Sequence, residues 1–586
     1  MKKSNRKQKK GNEEKVNKIS NLKLMMLINK NSVMTFIVVM LILGAIIFGL
    51  VYNIRKGYTP QESADNKKEN VNYIWGEIKP GKKNENNYTM VTSADGIQVP
   101  VPTRYTASSV EDERYVNGKD VTVTTYSQDI TSTLSSSGTY PWSKNSDGIW
   151  VSGNYHVNSS TSEMTTSSFT IGAKGGKVKI NWSVSSEADY DKLYGQIINV
   201  STGDETVVTE ELSGTRYGTL TSSLTYVDKE IELIPGTYQL KIAYSKDSSG
   251  NKGRDEAYVK KVEVYTENNT GNGSATTEEI TKHIGGFVIY EGTEAVTDSN
   301  KWEAQCNRNQ YVWIPIAEVS DMYWRDQTTG KKYGTWYNFR ESATTYEKGA
   351  NRSYEPQIGN YDIQSTYLTQ YLNGMSREDF LMEMEIDFDK MLNSVATYGG
   401  FYIGRYETGD LSQATPVVKR MNEDLGNQNW WQMWKKAKKL SGTSAGVQMI
   451  WGTQYDQTLK WLIDSGAKNY SEIGVDSTSW GCYSNRDLVY YKDTLKNIGA
   501  YRKHYNSRKI PSGGYDGANA NNIFDLAGNV MEWTQEYQYY RNESCRNYRN
   551  GYYSSPGSSY PAAYRYSQEP DESYDYTGLR CSLFIK

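Results

Sequence analysis

Histidine and cysteine are both scarce in this chain: three His and four Cys among 586 residues. The cysteines, Cys306, Cys482, Cys545 and Cys581, fall in no C-x-x-C spacing. That excludes a Cys₂His₂ or His₃ metal centre as the basis of function, and it leaves the disulfide state of the four thiols open. A basic surplus is also missing. The formal net charge is −2, which points away from nucleic acid as a partner. Phenylalanine is rare as well, 10 residues against 49 Tyr. Tyrosine offers large contact area with few rotors, and Tyr/Ser/Gly/Asn mixtures are typical of recognition loops, although a Tyr-rich β-sandwich surface has the same composition.

Charge is absent altogether from Val33 to Tyr52. At ~1.5 Å per helical residue such a run crosses a ~30 Å hydrocarbon core. Ahead of it, residues 1–32 are rich in Lys and Arg, with Glu13 and Glu14 as the acidic residues. This asymmetry predicts a cytoplasmic tail and an N-terminus inside. Ile54-Arg55-Lys56-Gly57-Tyr58 offers no small-x-small cleavage site, so residues 33–52 are expected to be an uncleaved transmembrane signal anchor in the cytoplasmic membrane. Everything after residue 53 is then extracellular.

Residues 53–124 are polar and are expected to be an extracellular spacer with one or two strands. From 125 to 266 the pattern has period two. Val178, Ile180, Trp182 and Val184 alternate with polar residues, as do Tyr238, Leu240, Ile242 and Tyr244, with Pro235-Gly236 as a turn. This predicts an all-β sandwich. The run Ser185-Ser-Glu-Ala-Asp-Tyr-Asp-Lys-Leu193, followed by Gly236 to Asp247 and Gly253 to Val259, resembles a bacterial extracellular jelly-roll module. Glu187, Asp189, Asp191, Asp247 and Asp255 are either ligands for Ca²⁺ or sugar hydroxyls, or surface and turn acids of a spacer. Residues 267–284 read as a low-complexity linker.

The last domain, 285–586, opens with Gly285-Gly-Phe-Val-Ile289 and Tyr311-Val-Trp-Ile-Pro-Ile316. Phe380, Met384 and Phe388 predict a helix near 377–394 that stops at Gly399-Gly400. Trp430, Met433, Trp434, Ala437 and Leu440 form the stripe of a second helix, and Thr453 to Asp464 a third. Between the first two lies Phe401-Tyr-Ile-Gly-Arg-Tyr-Glu407. Near the end stand Asn522-Ile-Phe-Asp-Leu-Ala-Gly-Asn-Val-Met-Glu-Trp533 and Tyr576-Thr-Gly-Leu-Arg-Cys-Ser-Leu-Phe584. In the first of these, Asp525 and Glu532 flank a tight turn, a plausible carboxylate pair for Ca²⁺.

These segments, in this order, resemble the formylglycine-generating enzyme (sulfatase-modifying factor) family, an α+β domain of C-type-lectin-like fold. The resemblance implies a structural Ca²⁺ held by Asp525, Glu532 and the carbonyls of Gly528 and Val530. It also implies where the chemistry of the family's oxidases should lie. Those enzymes hold copper on two Cys in C-x4-C spacing, and the matching positions here are Ser555 and Tyr560. No copper is therefore expected. The related iron enzymes need several His, whereas this domain offers His504 and, at its edge, His283.

The expected function is that of a membrane-anchored bacterial surface protein whose last domain is non-catalytic and binds an extracellular ligand, a glycan or a protein. The alternative is an oxidase of the same family with an altered site. Candidate ligand-binding residues are Tyr548, Tyr552, Tyr553, Ser555, Tyr560, Tyr564, Tyr566 and Tyr574, where the family's active-site face would fall. Their Tyr/Asn/Ser-rich setting also resembles the variable proteins of diversity-generating retroelements, in which such positions form a diversified lectin-like tip.

Overall fold

The computed structural model describes residues 78 and 80–586, apart from 173–174, 215–223, 268–275, 327–328, 340–346, 350–354, 357–364, 504–507 and 541–542. All of them belong to one compact unit, 75–586. The anchor expected at 33–52 lies outside the described residues. Among the described residues no helix is long and apolar enough to cross a membrane.

The period-two stretches form two facing antiparallel sheets. One runs in the order Val227–Leu233, Gly176–Ser185, Glu256–Thr266, Lys119–Asp129, Thr276–Ile284, and the other Glu205–Val207, Lys192–Asn199, Gly236–Ser245, Thr161–Thr165, Ser135–Ser136. Val178, Ile180, Trp182 and Val184 meet Leu193, Ile197, Leu240 and Ile242 in one buried core, as their alternation requires. The sandwich is wider than the sequence suggests. Residues 276–284, read above as linker, form an edge strand whose Ile280 sits opposite Val123. An edge strand pairs with one neighbour and turns its remaining backbone groups to water, so a polar sequence is compatible with that position.

The spacer is not a spacer in its second half. Tyr88–Thr92 and Gln98–Pro102 make a hairpin. Tyr105–Ala107 then pairs with Val288–Glu291, adding a sixth strand to the central sheet of the C-terminal domain. Val99, Val101, Tyr105, Val110 and Val116 are buried in that domain's core. The sandwich is thus an insertion, entered at Lys119 and left at Ile284, which face each other in register.

The central sheet has the order Ala445–Met449, Cys581–Ile585, Gly400–Gly404, Gln310–Pro315, Val288–Glu291, Tyr105–Ala107. Helix Arg377–Tyr398 packs on it. The Ser376 side chain caps its N-terminus by accepting from the Asp379 amide, and Gly399, in the left-handed conformation, ends it. Helix Trp430–Ala437 starts on an Asn429/Gln432 capping box and buries Trp430, Trp431 and Trp434 against Phe380. Helix Gly452–Asp464 follows. A second sheet, Arg565–Gln568, Glu543–Arg549, Met531–Tyr540, Thr577–Leu579, carries the face discussed below.

The insertion joint depends on two glycines. A Cβ on Gly285 would stand 2.5 Å from the Gly118 Cα and 2.9 Å from Asn521 Oδ1, too close for any side chain. Gly285→Ala should therefore lower stability by about 1–3 kcal/mol through overpacking, read as a drop in melting temperature. An unchanged melting temperature would show that the two chain passages separate at no cost.

Candidate functional site

The segment Asn522–Trp533 turns through left-handed residues at Asp525, Gly528 and Asn529. What fills the turn is the side-chain amide of Asn550. Its Nδ2 donates to the carbonyls of Asp525 (3.3 Å), Gly528 (2.9 Å) and Val530 (3.4 Å), while its Oδ1 accepts from the amides of Gly528 (2.8 Å) and Gly551 (2.6 Å). Glu532 faces away from the turn into a buried ion pair with Arg580, whose Nε lies 2.9 and 3.0 Å from its two oxygens. Asp525 Oδ2 accepts from the Gly513 amide at 2.6 Å.

The calcium shell expected at Asp525, Gly528, Val530 and Glu532 does not fit these donors. The two carbonyls converge on an N–H group, and a guanidinium occupies the second carboxylate. Among the described residues no group of three or more His, Cys, Asp or Glu is placed to hold a metal ion. The turn is fixed by an amide instead. Asn550→Ala should therefore lower stability by about 2–4 kcal/mol, because it strips partners from several buried backbone groups at once. A chelator should leave the wild-type melting temperature where it is; a fall on chelation would restore the ion.

The turn also aims the tyrosines. The Asn529 carbonyl accepts from the Tyr553 amide at 2.9 Å, and the Asn550 amide donates to the Tyr564 carbonyl at 3.0 Å. From there the rings form a continuous series. Tyr553 meets Tyr552 at 5.8 Å, and Tyr552 meets Tyr560 at 6.1 Å. Tyr560 meets Tyr564 at 4.6 Å, and Tyr564 meets Tyr566 at 6.4 Å. A branch stacks Tyr552 on Tyr576 (4.7 Å) and Tyr576 on Tyr574 (4.9 Å). Tyr566 is 48% exposed, and Tyr552, Tyr553, Tyr560, Tyr564 and Tyr574 are half-buried.

Two expected members do not belong to the surface. Tyr548 is 2% exposed and packs edge-on against Trp533 at 4.0 Å, because its strand turns that side chain into the core. Ser555 is also buried, its hydroxyl donating to the Tyr552 carbonyl at 2.8 Å. Tyr576, outside the candidate set, forms the branch between Tyr552 and Tyr574; its place in the run of tyrosines is the available signal. Burial, then the neighbouring Asp575 carboxylate, pushes the Tyr553 phenol up to about 12, and its hydroxyl donates to Asp575 at 3.1 Å.

Beside the ring series lies a buried charge cluster that the sequence did not single out. Arg549 contacts Asp456 at 2.5 Å and Glu536 at 3.4 Å. Arg565, between Tyr564 and Tyr566 in the chain, contacts the same two acids at 2.8 Å each and lies over the Trp336 ring. A third acid, Glu355, accepts from the amides of Gly452 (2.8 Å) and Thr453 (2.6 Å) at a helix N-terminus. Burial, then the charge of Glu536, pushes Glu355 up to about 8.

That shift has a definite sign. Between its ordinary value and about 8, Glu355 holds its proton in the folded chain and loses it in the unfolded one. Folding stability therefore falls as pH rises through that window, by at most about 1.4 kcal/mol per pH unit. Glu355→Gln keeps an acceptor but removes the titration. Its melting temperature should gain on the wild type steadily from about pH 5 to pH 8; a constant difference would show that Glu355 does not titrate there.

Of the cysteines, Cys306, Cys482 and Cys581 are free thiols. Burial drives Cys581 up to about 12, and it accepts a hydrogen bond from the Thr408 hydroxyl. Burial also raises Cys482, which pairs with Gly528 at the back of the turn. Neither is poised as a thiolate. The side chain of Cys545 lies outside the described residues.

Residues 393–583 match the family model of the sulfatase-modifying factor enzyme 1-like domain. No curated protein matches. Among solved structures, the chain is similar to the K1 cleaved adhesin domain of Lys-gingipain from Porphyromonas gingivalis W83, with 16% identity over 25% of this chain and 99% of that one and a TM-score of 0.19. It is also similar to CarF, with 13% identity, 32% and 87% coverage and a TM-score of 0.22. A family 29 carbohydrate binding module matches at 13% identity, 25% and 90% coverage and a TM-score of 0.17. Likenesses at these scores carry no argument about ligand.

Proposed function

We propose that this protein is a membrane-anchored surface protein whose sulfatase-modifying-factor-like domain binds an extracellular glycan or protein and performs no oxidation. One observation carries the proposal. The position where the family's first copper thiol would stand holds Ser555, tied into its own loop, and the second holds Tyr560, a member of the ring series. On this reading, stacked, half-exposed aromatic surface with polar tips stands where the family's oxidases hold a soft metal. Such surface suits recognition, because each ring brings contact area and a hydroxyl at little entropic cost. The anchor rests on the charge-free run 33–52 and the basic residues before it.

Two measurements test this. Wild-type protein supplied with Cu(I), oxygen and a sulfatase-type cysteine peptide should form no formylglycine by mass spectrometry; turnover would favour the oxidase. Tyr553→Ala and Tyr564→Ala should keep the unfolding free energy within about 1 kcal/mol of wild type, whereas Tyr548→Ala should cost about 3 kcal/mol as a core truncation. If the first two unfold the domain as well, the rings are core and the recognition face is elsewhere.

A further inference from the structure

We propose that the sandwich carries a second ligand site, on the outer face of its sheet where the C-terminal domain reaches over it, and that this site takes an uncharged glycan. Strand Lys192–Asn199 alternates strictly, with Leu193, Gly195, Ile197 and Asn199 buried. Lys192, Tyr194 and Gln196 therefore share the outward face. Opposite Tyr194 in register stands Ala243, and beyond it Glu163. A hollow lies beside the Tyr194 ring, lined also by Lys192, Gln196, Val207 and Ser245. Tyr190, 60% exposed, forms a second aromatic wall, and Arg502 closes the hollow from the C-terminal domain. The resulting cavity is about 420 Å³, within the range of small-ligand sites.

The chemistry of the lining narrows the ligand class. Of its three cations, Lys192, Lys246 and Arg502, the two lysines are paired. Lys192 pairs with Glu211 at 2.7 Å. Lys246, buried at the base, pairs with Asp255 and donates to Asn251 Oδ1 at 3.0 Å. Asp247 stands in the lining with Arg502. Matched charges give no net field to hold a phosphate or a sulfate. Outside the two tyrosine rings, Val207 is the apolar side chain of the lining, too little for a lipid or a hydrophobic peptide. What remains is a pair of ring faces with an amide, a hydroxyl and a carboxylate from Gln196, Ser245 and Asp247 around them. Sugar rings present the complement, apolar C–H faces edged by hydroxyls that both donate and accept.

The buried Lys246 bears on the acids of this sandwich. Its ammonium pairs with Asp255 and acts on the charge of Asp191, while Asp255 Oδ1 and Asp191 Oδ2 stay buried without a hydrogen-bond partner. Asp247 lies at the cavity, whereas Glu187 and Asp189 do not line it.

The test is calorimetric titration of the full-length protein with mannohexaose, cellohexaose and laminarihexaose. At least one should bind saturably. Tyr190→Ala and Gln196→Ala, at exposed and half-buried positions, should each weaken it at least tenfold with melting temperature unchanged, while Leu495→Ala, 79% exposed and outside both the cavity and the ring series, should leave it intact. Absence of saturable binding by all three up to about 10 mM overturns the proposal, as does undiminished affinity in Tyr190→Ala. Loss of binding in Tyr553→Ala alone would overturn it too, by assigning the glycan to the C-terminal ring series. Tighter binding of a sulfated hexasaccharide than of its uncharged parent would overturn the ligand class.

Discussion

The buried ion pair between Arg405 and Glu113 holds the architecture together. Arg405 Nη2 lies 2.7 Å from Glu113 Oε1 and also donates to Asn522 Oδ1 at 3.1 Å; Nη1 donates to the Tyr290 hydroxyl and to Gln310 Oε1. Asn522 in turn donates to the carbonyls of Asp112, Gly285 and Gly286. One guanidinium thus gathers the segment before the sandwich, the segment after it, a central strand and the start of the turn Asn522–Trp533. Both charges are fully buried, so removing either partner strands the other at a cost of about 3–5 kcal/mol. That is why the sandwich can be inserted here without loosening the domain: its entry and exit are tied to the same node.

Much of this was legible because it is periodic. Val178 to Val184 and Tyr238 to Tyr244 announced a sandwich, and Gly399 and the Trp430–Leu440 stripe announced a helix end and a helix face. Each signal repeats over several residues and survives local exceptions. The domain boundaries were not legible. Tyr105–Ala107 is three residues long and joins a strand nearly two hundred residues away, and Thr276–Ile284 is a polar edge strand. Short or one-sided pairing leaves almost no trace in composition, because the partner strand supplies what the sequence lacks.

The site divides the same way. The turn at Asn522–Trp533 was visible as a motif, and it does organise the face above it. Its filling was not visible, since Asn550 lies some twenty residues on and an asparagine in a polar run has no distinguishing neighbours. Carbonyls that converge can meet a cation or an N–H group equally well, and sequence records only the carbonyls. The Glu532–Arg580 pair shows the same ambiguity for carboxylates. The charge cluster of Glu355, Asp456, Glu536, Arg549 and Arg565 was missed because its members are spread over more than two hundred residues and no local spacing links them.

Tyrosine composition, finally, says that rings are available and not where they point. Tyr548 and Tyr566 are cross-strand partners on adjacent strands of one sheet, with rings 6.2 Å apart, yet one is sealed against Trp533 and the other is half in solvent. The difference lies at the depth of the sheet, not in the residue. A series that runs from a core ring outward gains rigidity from its buried end, since each outer ring rests on one already fixed. Tyr566 rests on the buried Tyr548. Rigid outer rings lose little freedom when a ligand settles on them, which is the condition under which contact area becomes affinity. A face built this way tolerates change at its outer rings far better than at Tyr548, so the scaffold separates the positions that hold the fold from those free to choose a ligand.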